Sequence, residues 1–222
     1  MLKLAFYAAS TAVPTAMADT IDLDFQQIAG GSSAMSVLID GGQVDAGHMI
    51  HTITSGPRAG ESFRSFCVEL AEQAQTGSAT YDIVDVADAP NPGSPYGQAV
   101  ADAVSAVVAN AEALGWIDGN LQADENQSGY LGKMGAIQAA IWEAAGGVLN
   151  LNSSQTSDEL SFYYSVLMND LTFDDTLRMS GLRAAVAVGQ QDMLYIVPLP
   201  PAAFAGAGLL LAGFGVRACR RR

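Results

Sequence analysis

Along residues 20–28, apolar Ile21, Leu23 and Phe25 alternate with Asp22 and Asp24, the period of two that turns one face of a strand to a core and the other to water. Segments 34–39, 48–54 and 62–70 carry the same signal, separated by Gly30-Gly31, Gly41-Gly42 and Ser55-Gly56-Pro57 as turns. A further strand is expected over 80–86, before a loop that holds Pro90, Pro92 and Pro95. The period then becomes helical. From 98 to 114, Val100, Val104, Val107, Val108, Ala111 and Leu114 form one stripe, closed by Gly115. A second helix is predicted over 129–145, and a third starts at the capping-box pattern Thr156-x-x-Glu159 and carries Leu160, Tyr163, Tyr164 and Leu167. Segments 183–188 and 193–197 return to strand. Strands that bracket a helical block predict an α+β domain, a mostly antiparallel sheet or sandwich with about three helices on one face or end.

Both ends read as processing segments, outside the fold. Lys3 precedes an apolar stretch from Leu4 to Val13, and Ala16-Met17-Ala18 is the small-x-small pattern that signal peptidase reads, here before Asp19. At the other end, Val197-Pro198-Leu199-Pro200-Pro201 leads into an apolar run from Ala202 to Val216, followed by Arg217, Arg220, Arg221 and Arg222. Such a run can enter a membrane while its arginines stay on the cytoplasmic side. A helix of that length rises roughly 22 Å, short of a hydrocarbon core of about 30 Å. Gly206, Gly208, Gly213 and Gly215 weaken it further, so the expected role is a transient membrane hold. The expected organisation is a signal peptide over 1–18, an ectodomain over 19–197 and a C-terminal sorting and membrane tail over 198–222.

The three parts of that tail, proline motif, apolar helix and arginine cluster, resemble the PEP-CTERM class of sorting signals. Its start is similar to the VPLPA variant, with Pro201 where that variant usually has alanine. The resemblance implies a Gram-negative exporter in which an exosortase-type transpeptidase removes the tail and passes the protein to the cell surface or an exopolysaccharide matrix.

Charge narrows the partners. Within 19–197 the basic residues are Arg58, Arg64, Lys133, Arg178 and Arg183, against all 23 acidic residues of the chain, a net of −18. A surface without a basic patch has nothing to replace the counterions of nucleic acid, which excludes DNA and RNA as expected partners. The acids are scattered, as in a solubility coat. Cysteine usage is sharper. Cys219 lies in the tail, which leaves Cys67 as a lone thiol in an exported domain, where an unpaired cysteine needs protection or a use.

One residue breaks the pattern of the second helix. At 100° per residue Leu131, Met134, Ile141, Trp142 and Ala145 share a side, Lys133, Ala140 and Glu143 lie opposite, and Gln138 falls in the middle of the apolar side. A buried amide without partners costs roughly 1–3 kcal/mol, so a specific partner is expected. Two partners are open: backbone groups of a neighbouring loop, or the cysteine. Around Cys67, alternation puts Phe66, Val68 and Leu70 on one strand face and Ser65, Cys67 and Glu69 on the other. If the first set enters the sheet core, Cys67 points to the helical layer.

The pieces Ser65-Phe66-Cys67-Val68-Glu69 and Ala136-Ile137-Gln138-Ala139-Ala140-Ile141-Trp142-Glu143 together resemble the two signatures of the bacterial thioester domain. That resemblance implies an internal thioester from Cys67 Sγ to Gln138 Cδ, kept dry by Phe66, Ile137, Ile141 and Trp142. A thiolate is a good leaving group, so such a bond acylates a nearby amine or hydroxyl, on a surface protein or matrix polysaccharide. The reaction occurs once per molecule, which makes the chain a covalent binder and not an enzyme. No cofactor or metal is called for. His48 and His51 are spaced so that a strand sends them to opposite faces, without a ligand cluster around them. Asp118 to Glu125 hints at a calcium loop, but Ala123 stands where an EF-hand turn requires glycine. The competing expectations are a passive structural matrix protein without a thioester, and a secreted hydrolase that pairs Cys67 with His48 or His51.

Overall fold

The computed structural model describes residues 20–90 and 92–197. The expected signal peptide, the apolar C-terminal run, its arginines and Pro198, Leu199, Pro200 and Pro201 lie outside the described residues. Among the described residues, no helix is long and apolar enough to cross a membrane.

The domain is α+β, as the periodicities predict. Strands β1 (Thr20–Ile28), β4 (Met49–Ile53), β5 (Ser62–Ser65), β6 (Ser78–Val84), β7 (Leu182–Ala187) and β8 (Gln190–Ile196) form one antiparallel sheet in the order β5-β4-β1-β6-β7-β8. Strands β2 (Met35–Ile39) and β3 (Gly42–Ala46) form a separate hairpin. Helices α1 (Gly97–Ala113), α2 (Tyr130–Ala144) and α3 (Asp158–Leu167) follow as one block between β6 and β7.

The six-stranded sheet curls until its two edges meet. Beyond β5 the chain pairs with β8: Leu194 N–H donates to the Phe66 carbonyl at 2.8 Å, Val68 N–H to the Asp192 carbonyl at 3.0 Å, and Cys67 lies opposite Met193. Inside the curl, Leu23, Ile53, Tyr81, Ala185 and Met193 pack on one another. The other face carries Phe66, Val68, Ala184, Val186 and Leu194 against Val104, Val107, Ile137 and Ile141 of the helices. Hairpin residues Val37 and Ile39 join Ala139, Trp142 and Leu160 in a second cluster that also receives Cys67. Each fully buried aliphatic side chain contributes about 1.5–3 kcal/mol.

Several expectations change on contact with the structure. β3 was absent from the pattern because Gly-Gln-Val-Asp-Ala offers a single large apolar residue; the hairpin turns instead at Asp40 and Gly41, whose φ of 49° and 81° fit a two-residue primed turn. The expected turn residue Gly42 is the first residue of β3. Strand 62–70 stops as a ladder at Ser65, and strand 80–86 lies at Ser78–Val84. The capping box does not form: Ser157 is the N-cap, without a side-chain cap bond. Thr156 Oγ1 accepts from Leu38 N–H at 3.0 Å, and Ser157 Oγ accepts from Ser36 N–H at 2.9 Å, so both hydroxyls tie α3 to β2. Ala140, placed on the outer side of α2, is buried, because α2 is covered by α1, α3 and the hairpin. Gly115 ends α1 as expected, with φ 69°, while Trp116 N–H and Gly115 N–H close on the carbonyls of Ala111 and Glu112.

α2 can lie so deep because its packing side is stripped. A Cβ on Gly135 would stand 2.8 Å from Met35 Cβ, and one on Gly132 would stand 2.5 Å from Glu159 Cγ. These close approaches fix how far α2 reaches toward Cys67.

Candidate functional site

Peptide groups along an extended strand face alternate sides. The Phe66 carbonyl and the Val68 N–H are bonded to β8, so the N–H and C=O of Cys67 point the other way, toward β4. β4 begins only at Met49, opposite Ser65, and leaves the next position open. Gln138 fills it. Cys67 N–H donates to Gln138 Oε1 at 2.8 Å, and Gln138 Nε2 donates to the Cys67 carbonyl at 2.8 Å. The carboxamide thus completes the sheet as one residue of an absent strand would. Both residues are 1% exposed.

The structure therefore brings the two predicted residues together, through the cysteine backbone. Gln138 is satisfied by backbone groups, as the loop-partner expectation held, and those groups belong to Cys67. The thiol itself donates to the Glu69 carbonyl and accepts from Glu69 N–H at 3.2 Å. Burial pushes the Cys67 thiol well above its ordinary pKa, and the neighbouring acids Glu69 and Asp192 add to the rise. The Trp142 indole opposes it, lying near the sulfur without the geometry of a full hydrogen bond. Until a bond to Gln138 forms, the group is therefore a neutral thiol.

A cleft of about 330 Å³ opens onto this pair, lined by Cys67, Gln138, Trp142, Met49 and Leu70, with Asp45 and Glu72 among its acidic residues and neither Lys nor Arg in its wall. Of the four residues expected to keep the site dry, Trp142 lines the cleft. Phe66, Ile137 and Ile141 sit in the main core instead; Phe66 and Ile137 are the chain neighbours of Cys67 and Gln138 and so point away from them, while Ile141, three residues beyond Gln138, packs in that core beside the cleft. Met49, Leu70 and Phe25 take their place in the wall. Sequence reasoning passed over them because only the meeting of β1, β4 and the 70–74 segment groups them.

Glu69 was also passed over. It is 3% exposed, its Oε1 accepts from Asp192 N–H at 3.3 Å, and burial pushes its carboxyl up to about 7, with Asp192 and Glu72 adding to the rise. An acidic residue two positions after the cysteine was the available signal.

The two imidazoles go elsewhere. His48 packs on Phe66 at 4.4 Å between ring centroids and shares a 3.2 Å hydrogen bond between Nδ1 and Tyr130 OH; burial, with Arg64 nearby, pushes its pKa down to about 3. His51 lies between Phe25 and Phe63 with its pKa pushed down by burial to about 4. They occupy different faces, and neither is hydrogen-bonded to Cys67. Among the described residues no group of three or more His, Cys, Asp or Glu side chains is placed to hold a metal. The Asp118 loop closes on itself, Asp118 Oδ1 accepting from the N–H groups of Asn120 and Gln122 at 2.8 Å each. Val197, the one described residue of the expected sorting motif, donates its N–H to the Gly181 carbonyl at 3.1 Å. No family model, curated protein or solved structure matches this chain.

Proposed function

We propose that the chain is an exported surface or matrix protein that attaches covalently to a neighbour through a thioester between Cys67 and Gln138. The observation that carries this reading is the carboxamide of Gln138 clasped to the backbone of Cys67, both residues buried beside a cleft. To form the bond, the thiol leaves the Glu69 carbonyl and its sulfur attacks Gln138 Cδ; the C–N bond breaks, and the nitrogen departs as ammonia with the thiol proton. In the second step a nucleophile attacks the same carbon, the C–S bond breaks, and the sulfur regains a proton as Cys67 thiol. Asp45 and Glu72 favour an amine over a neutral hydroxyl, because carboxylates draw an ammonium to the cleft before it gives up its proton and attacks. The routing rests on residues 1–18 and 198–222: signal peptidase, a transient membrane hold and an exosortase-type transpeptidase.

A second reading, a passive matrix protein, is favoured by one observation: both polar ends of Gln138 are already satisfied without any covalent bond. Trapping separates the two. On incubation with methylamine, the thioester reading expects Gln138 to become its N-methylamide while Cys67 turns reactive to iodoacetamide, as read by peptide mass mapping. An unlabelled Gln138 in natively folded protein favours the passive reading.

A further inference from the structure

The hairpin β2–β3 has two edges, and they are treated differently. Ile39 and Gly42 flank the two-residue turn, so the pairs Ile39 with Gly42, Val37 with Val44 and Met35 with Ala46 turn their peptide groups to each other. Ser36 and Leu38 then face outward from β2, and every one of those groups is covered. Ser36 N–H goes to Ser157 Oγ, Leu38 N–H to Thr156 Oγ1, and their carbonyls receive the N–H groups of Ser157 and Asn150. By the same alternation Gln43 and Asp45 face outward from β3. Their main-chain N–H and C=O groups have no partner among the described residues.

This open edge borders the cleft of Cys67, whose lining includes Gln43, Val44 and Asp45 together with Leu70, Glu72, Gln73 and Ala74. A strand added along β3 would run beside that cleft. Its residue opposite Val44 turns to the same face as Val44, which belongs to the cluster of Cys67 and Trp142. We infer that β3 is a docking edge for an extended segment of a partner protein, which adds to the hairpin as a third strand and delivers a lysine opposite Val44 to the Cys67–Gln138 site. This deepens the thioester reading by naming how the partner is held, and only the covalent step rests on it.

Charge chooses the occupant. A second copy of β3 would set Asp45 against Asp45 or near it, in a domain of net charge −18, and like charges across a strand pair repel. A neutral polysaccharide offers no row of N–H and C=O groups to match the edge. A lysine-bearing strand answers both the edge and the acids Asp45 and Glu72.

The test uses Cys67→Ser protein, which cannot form the thioester, and fluorescence anisotropy of a labelled peptide of about seven residues, threonine and valine alternating around one lysine. Binding is expected, weakened at least about tenfold when alternate peptide nitrogens are methylated and at least about tenfold by Gln43→Pro, which blocks the edge without breaking a bond to β2. Circular dichroism checks that Gln43→Pro remains folded, and the methylated peptide needs no variant. Absence of binding, or equal binding of the plain and methylated peptides, overturns the docking edge. A peptide-free dimer that Gln43→Pro dissolves also overturns it, by making the occupant a second copy. Methylamine trapping of the unsubstituted chain is a separate measurement, so loss of the covalent reading leaves this result standing on its own.

Discussion

Asp192 N–H donates to Glu69 Oε1 at 3.3 Å, and this bond joins two buried acids at the seam where the segment carrying Cys67 closes the sheet on β8. The same seam uses Val68 N–H on the Asp192 carbonyl, and Asp192 Oδ1 accepts from Ala187 N–H at 2.9 Å. Glu72 adds a third acid nearby.

The Glu69 carboxyl is raised from 4.5 to about 7 on folding, so between these values the folded chain binds a proton that the unfolded chain does not. Stability from this group is present below pH 4.5 and is lost as the pH rises through about 7. Urea unfolding across that window is expected to show the loss. Glu69→Gln, which keeps an acceptor for Asp192 N–H, is expected to flatten it, and an unchanged slope would remove Glu69 as its source.

In Cys67→Ser protein, where the carboxamide stays intact, Gln138→Glu tests the clasp on the backbone of residue 67. A carboxylate still accepts from the N–H of residue 67 but sets a charged oxygen against its carbonyl, so destabilisation of about 2–4 kcal/mol at neutral pH is expected. Protonation restores a donor. Because folding raises the pKa of this new acid, the loss should shrink as the pH falls, and chemical denaturation at pH 5 and pH 8 reads the difference.

Gly135→Ala places a Cβ 2.8 Å from Met35 Cβ and 3.0 Å from Leu160 Cδ1. Neither the hairpin nor α3 can retreat without losing buried contact, so a cost of about 1–3 kcal/mol is expected by thermal or urea unfolding. If α2 rides outward in response, Gln138 leaves Cys67 and methylamine incorporation falls as well.

The sequence spoke clearly where a pattern was local. Alternation at Ile21, Leu23 and Phe25 marked β1, the valine stripe marked α1, and a lone cysteine with a misplaced amide marked Cys67 and Gln138. What it left unsaid depends on tertiary company. The stretch Gly42–Ala46 is a strand because Val37 and Val44 share a cluster with Trp142, and Thr156 serves β2 because α3 docks there. The manner in which Gln138 holds Cys67 follows from β4 starting at Met49, a boundary that no local pattern announces.

The most direct measurement of the central claim is the intact mass of the natively purified chain, taken beside Cys67→Ser and Gln138→Ala. The account predicts a wild-type mass lower by one ammonia and full masses for both variants. A folded wild-type chain at its full, unmodified mass would contradict it.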